Sequence, residues 1–381
     1  MFPSPAPTGP PRITIGNPGD LLAMIPYLLG FHPTDSMVAV GMRDHSVVFT
    51  LRLDLPAPAG HEPPDGETSD APDRPGPWTD PDRLVAVLSA QSLTGVILAG
   101  FGPDERVRPA STRFGESLRA AGLPLLDRLR AEDDRYWSYE CADPTCCPAT
   151  GTQYGARQRR VAAEATVAGL VALPSRETLA GHVAPVRGAE RRAMDEATDR
   201  AEARCVALIE STGGPHDAVD ELIAEGLAAV RAAVTRYRSD PDRPETAQAR
   251  LSDDEVAWLG VVLSSTRIRD EAWTLVDGAD LAGHRALWTD VVRRVHPDYV
   301  PAPAALLGFV SWQAGDTAFG GIALGRALEA DPAYPMALML AQVMAAGVPP
   351  TAWTPRTTPS RGRSSPAPAT SERPAAGPVD G

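Results

Sequence analysis

A chain of 381 residues that is 43% hydrophobic has the material for a sizeable core and for two domains. Its formal net charge of −13 makes nucleic acid or an anionic membrane an unlikely nonspecific partner. All 36 basic residues are arginine, which excludes a P-loop, and neither HExxH, GxSxG nor an EF-hand loop occurs.

Residues 1–11 are proline-rich and are expected to be disordered. They lack the basic and apolar regions of a secretory signal, and nowhere do about 18 consecutive residues stay apolar. Four cysteines in so long a chain make no disulfide framework. The expectation is a cytoplasmic protein that does not enter a membrane.

The stretch from Asn17 to Leu55 sets the pattern of the first part. Asn17 is placed to cap a helix, with Pro18 at its first position and Asp20 in its first turn. Leu21, Leu22, Ile25, Leu28 and Leu29 form one apolar stripe, Pro26 is expected to kink the helix near Leu22, and Gly30 ends it. Met37 to Val40 reads as a buried strand and Val47 to Leu55 as an alternating one, with a turn at Arg43 to Ser46. Residues 56–81 read as a mobile insertion. A helix near Asp82 to Gln91, a strand at Gly95 to Ala99, a helix from about Ala110 to Ala121 and strands at Leu125 to Leu129 and Arg135 to Tyr139 follow. The fold class is therefore α/β with a mixed sheet.

A helical stripe then runs from Val161 to Leu173, ended by Pro174, and Ser175 caps the next helix. Long helices fit residues 187–210 and 216–238 as trailing elements of a first domain spanning 12–238. Residues 239–250 read as a linker, 251–349 as a helical domain opened by the capping box Ser252 to Glu255, and 350–381 as a disordered tail. Leu307, Gly308, Gly315, Asp316, Leu324, Ala327 and Pro332 fall at the spacing of a tetratricopeptide-type helical hairpin, although Ala304, Ser311 and Gly320 depart from its pattern.

Three thiols at Cys141, Cys146 and Cys147 could bind zinc, with His32 or His182 as a further ligand, or form a redox pair between Cys141 and one of the other two. Their spacing is not that of a standard knuckle, so structural thiols are the leading reading. His32, Asp35 and Ser36 in one turn bring an imidazole, a carboxylate and a hydroxyl together, but such residues more often bond the local backbone. Arg52 and Asp54 on the polar face of a strand, with Tyr136 and Trp137, are candidates for binding, and His32, Asp35 and Asp54 for catalysis. Gly100-Phe101-Gly102 lacks the third glycine of a dinucleotide turn.

The segments NPGDLLAMIPYLLGFHPTDSMVAVG at Asn17 to Gly41, RLDLP at Arg52 to Pro56, RYWSYEC at Arg135 to Cys141, CCPATGT at Cys146 to Thr152, ALPSRE at Ala172 to Glu177 and IRDEAW at Ile268 to Trp273 resemble domain-of-unknown-function family 4192 of high-GC Gram-positive bacteria. The likeness runs from about Ile13 to Pro350 and implies kinship without a mechanism. The leading functional expectation is a binding or scaffold protein that holds a protein or peptide partner with its helical domain. The alternative is an enzyme or small-ligand site between the turn at 30–36 and the segment at 136–147.

Overall fold

The computed structural model describes residues 13–56, 81–155, 159–168, 170–211, 215–238 and 250–353. The expected disordered start, the insertion from 57 to 80, most of the linker and the tail after 353 lie outside the described residues.

Helix α1 (Pro18–Leu29) begins as its sequence dictates: the Asn17 side chain accepts the Asp20 N–H at 2.9 Å, and Gly30 closes the helix at φ 78°. Pro26 lies inside the helix without ending it. Strands β1 (Ser36–Arg43) and β2 (Ser46–Asp54) form the first hairpin. After α2 (Pro81–Ser89) come β3 (Gly95–Phe101), α3 (Asp104–Ala120) and β4 (Leu125–Glu132), a parallel crossover unit. Strands β5 (Arg135–Ser138) and β6 (Thr152–Gln153) complete a sheet in the order β2-β1-β3-β4-β5-β6, in which only β3 and β4 run parallel.

Period-two patterning sends the residues of each central strand to two cores. Val38, Val40, Ala99, Phe101, Leu129 and Ala131 join α1 and the helical part in the larger one. Met37, Ala39, Val96 and Leu98 pack with Phe114 and Leu118 of α3 in the smaller one. Helix α3 starts six residues earlier than the sequence suggests, with Asp104 and Glu105 in its first turn and Pro109 inside it. It lies directly on β3: a Cβ at Gly100 would come within 2.2 Å of Val107.

Helix α4 (Arg159–Val167) is shorter than the expected stripe. Leu173 is extended instead, as the residue before Pro174 should be, and exchanges backbone bonds with the α1 exit: Leu173 N–H to Gly30 O at 2.8 Å and His32 N–H to Leu173 O at 2.9 Å. Then follow α5 (Arg176–Gly181), α6 (Gly188–Ser211), α7 (Pro215–Tyr237), α8 (Asp253–Leu263), α9 (Thr266–Thr274), α10 (Leu281–Arg294), α11 (Pro301–Gln313), α12 (Thr317–Ala330) and α13 (Pro335–Ala345). Both bonds of the Ser252–Glu255 capping box are made. Met194 and Ala197 of α6 and Val230 of α7 share the larger core with Trp258, Trp288 and Phe309, so the helices on both sides of residues 239–249 pack together. Arg294, 2% exposed, ties that junction, bonding Leu251 O at 2.8 Å, Asp290 at 2.9 Å and Asp253 at 2.5 Å. Among the described residues no helix is long and apolar enough to cross a membrane.

Candidate functional site

The turn at 30–36 does not join its polar groups to one another. His32 is exposed and bonded through its backbone. Asp35, at φ 44°, pairs with Arg106 of α3. Ser36 is fully buried and donates to Thr34 O at 2.5 Å while accepting Arg52 Nε at 2.8 Å. That last bond positions Arg52, which lies 5.6 Å over the Phe31 ring and reaches Asp54 at 2.7 Å. Arg52, Asp54, Ser36 and Phe31 are thus one constellation, and His32 stands outside it.

Arg52 and Asp54 line a cleft of about 190 Å³ where the edge strand β2 faces the helical part. Leu29, Phe31, Phe49 and Leu51 supply an apolar wall from the sheet side, Ala318 and Met344 one from α12 and α13, and Arg176 adds a second guanidinium. The sequence singles out only Arg52 and Asp54 of this cleft, because its other walls come from distant parts of the chain.

A second crevice of about 480 Å³ opens at the carboxyl ends of β3 and β4, where α/β sheets commonly bind ligands. Its lining is acidic: Asp35, Glu132, Asp133 and Asp134 beside Tyr154. Burial pushes the Tyr154 hydroxyl up to about 12. Glu132 is held by Arg130 at 2.5 Å.

The segment RYWSYE fastens the sheet to α3. Asp133 and Asp134, both at positive φ, make the two-residue turn that pairs Arg130 with Trp137 across the β4–β5 hairpin. The Arg130 guanidinium stacks 3.7 Å from the Trp137 ring, and Arg128 lies 5.6 Å over Tyr139. The Tyr139 hydroxyl donates to Asp104 at 2.7 Å, and burial, then this bond, raises its pKa. The bonds from Arg108 hold the Asp104 carboxyl below its ordinary range. The signal for this ladder was present in the sequence: arginines two apart in one strand, aromatics two apart in the next, and a two-residue aspartate turn between them.

The same strand carries the cysteine loop. Tyr136 packs edge-on against Tyr154 at 6.2 Å, and burial raises its pKa. Trp137 Nε1 donates to Ala149 O at 3.0 Å, while Arg135 donates to Thr150 O at 3.2 Å and Gly151 O at 3.0 Å. Within the loop the Asp143 carbonyl accepts the N–H groups of Cys146 at 3.2 Å and Cys147 at 2.7 Å. The result brings the Sγ atoms of Cys141, Cys146 and Cys147 within 4.8 Å of one another, and among the described residues no histidine joins them. A hydrogen bond from the Cys147 thiol holds the Cys141 thiol below its ordinary value, and burial pushes Cys147 up to about 12. His182 lies elsewhere, edge-on to Phe319 of α12 at 6.4 Å.

Residues 18–351 match the family model described as Domain of unknown function (DUF4192). The chain belongs to this family. The match takes in the edge-strand cleft, the cysteine loop and the helical stack alike, so all three lie within the DUF4192 body. No curated protein and no solved structure matches the chain.

Proposed function

We propose that this DUF4192 protein is a cytoplasmic binding protein that receives a protein or peptide partner in the cleft between β2 and the helical stack. The observation that carries the reading is the lining of that cleft, with apolar walls from Phe31, Leu51 and Met344, the guanidinium of Arg176, and that of Arg52 shared with Asp54. Such a lining suits an apolar side chain next to a carboxylate, with the apolar group buried and the carboxylate held by charge-assisted hydrogen bonds. Strand β2 is a sheet edge, so an extended peptide has backbone groups to align with. On the helical side we read α11 and α12 as a tetratricopeptide-type hairpin, closely apposed at Gly308 and Gly320 and followed by Pro332. The net charge of −13 supports a partner other than nucleic acid.

Catalysis is the second reading, favoured by the acidic crevice at the ends of β3 and β4. It has less behind it, since Asp35 and Glu132 are already paired with Arg106 and Arg130.

Selection of displayed peptides on the full chain tests the binding reading. The expected winners carry an apolar residue beside a carboxylate, and Arg176→Glu weakens them about tenfold or more, the size of a lost charged hydrogen bond. Winners without a carboxylate, or binding that survives both Arg52→Ala and Arg176→Glu, overturn it.

A further inference from the structure

The three thiols of the cysteine loop are poorly placed for a merely structural role. A core cysteine behaves as a small hydrophobe buried among apolar side chains. Here Cys146 is exposed, Cys141 and Cys147 are half-buried, and the three sulfurs face one another rather than an aliphatic core. By contrast Cys205 sits alone on α6, packed beside the larger core.

The geometry points to a site for a soft divalent cation of the zinc class, held by Cys141, Cys146 and Cys147 with a fourth coordination position open. A tetrahedral zinc thiolate with Zn–S near 2.3 Å needs sulfurs about 3.8 Å apart. The three Sγ atoms already lie within 4.8 Å of one another, so a contraction of roughly 1 Å or less completes the triangle. Adjacent cysteines seldom address one ion, and the loop explains how these do. The Asp143 carbonyl gathers the N–H groups of both Cys146 and Cys147, and the Asp143 carboxylate takes the Thr145 N–H at 2.8 Å and hydroxyl at 2.6 Å. The Ser138 hydroxyl accepts the Cys141 N–H at 3.2 Å on the other side. Arg135 and Trp137 fix the far end of the loop through the carbonyls of Ala149, Thr150 and Gly151. Such surroundings are what orient metal ligands and keep them from relaxing apart.

Binding replaces three S–H protons, released to solvent, with three metal–sulfur bonds, and no electron is transferred. The Asp143 carboxylate is occupied by Thr145, and no further histidine, cysteine or carboxylate of the described residues joins the cluster, so water or a ligand from outside the loop takes the fourth position. An open position distinguishes this site from a closed structural zinc.

The full chain, purified under reducing conditions without chelator, is titrated with cobalt(II) and then zinc(II). The expected result is one equivalent of cobalt with thiolate charge-transfer absorption and the visible bands of a tetrahedral ion, bleached by zinc. Cys141→Ser, Cys146→Ser and Cys147→Ser each abolish the charge-transfer band, and Cys205→Ser leaves it unchanged. As a check that needs no substitution, zinc protects the three loop thiols of the wild-type chain from alkylation and leaves Cys205 as reactive as before. Absence of stoichiometric cobalt, a band that survives in all three loop variants, or a disulfide within the loop of protein kept reduced overturns the assignment.

Discussion

The helical stack and the cysteine loop are organised by opposite means. In α11 every residue from Pro301 to Trp312 is buried, and Trp288 of α10 is wholly enclosed although its indole N–H has no hydrogen-bond partner. In the loop that follows β5, Gly151 is the only buried position between Glu140 and Tyr154. Shape there comes from directional bonds to Ser138, Asp143, Trp137 and Arg135. Burial makes a region costly to unfold, whereas a bonded turn fixes a few atoms in space while adding little to global stability. Substitutions in the stack should therefore be read in global unfolding, and those in the loop in local order and ligand affinity.

Trp288→Ala breaks the stack most severely. Removing a fully enclosed indole costs about 3–5 kcal/mol from lost burial and the cavity left behind, a large share of the stability of an ordinary domain. Denaturant unfolding should show a lower midpoint for the whole helical part.

Gly308→Val acts where α11 and α12 approach closely. A Cβ there would meet the buried Leu324 side chain at 2.5 Å, and overpacking of this kind costs about 1–3 kcal/mol. Gly325 on α12 has nothing within 4 Å of its Cβ direction, so Gly325→Ala should instead stabilise by up to about 1 kcal/mol through helix propensity. Equal effects at the two glycines would remove the claim that contact, not composition, limits the stack.

Gly151→Ala carries the comparison to the loop. Gly151 holds φ 77°, and its Cβ would lie 2.6 Å from the Trp137 ring. Displacing that indole should leave the global midpoint within about 1–2 kcal/mol of the parent. It should raise amide exchange across the loop and weaken cobalt binding by about 10–100-fold, as loss of ligand support does.

How far all this could be read in advance depended on the range of the interactions. The Asn17 cap, the Gly30 stop and the Ser252–Glu255 box involve neighbours in sequence, and each forms as its residues require. The alternation expected in β2 likewise holds, with Leu51, Leu53 and Leu55 turned to the smaller core. Helix α4 closes early with a local bond, Leu170 N–H to Ala165 O at 2.9 Å, and Leu173 beyond it pairs with the distant 30–32 turn, which no local pattern announces. The pairing of Arg52 with Ser36 rather than Ser36 with His32 follows from the β1–β2 register, which sets Val38 opposite Arg52 and Ser36 opposite Asp54. The cysteines were visible as a cluster, but their convergence depends on the Asp143 turn, and their spacing alone pointed the other way.

The smallest effect separates the two regions by pH. His284 of α10 is 3% exposed and accepts the Asp277 N–H at 3.2 Å, and burial lowers its pKa from the ordinary 6.5. In the unfolded chain the imidazole takes up a proton as pH falls through 6.5, while the folded chain resists doing so. The unfolded state then holds more protons, so stability is fully present above that value and declines below it, by at most about 1.4 kcal/mol per pH unit. His284→Gln, which retains an acceptor for Asp277, should flatten the stability curve between about pH 5.5 and 7, above the range where carboxylates dominate. The cysteine loop contains no histidine, so its amide exchange, corrected for the intrinsic rate, should be the same in parent and variant across that window. A stability curve that keeps its slope in His284→Gln would assign the pH dependence to another group.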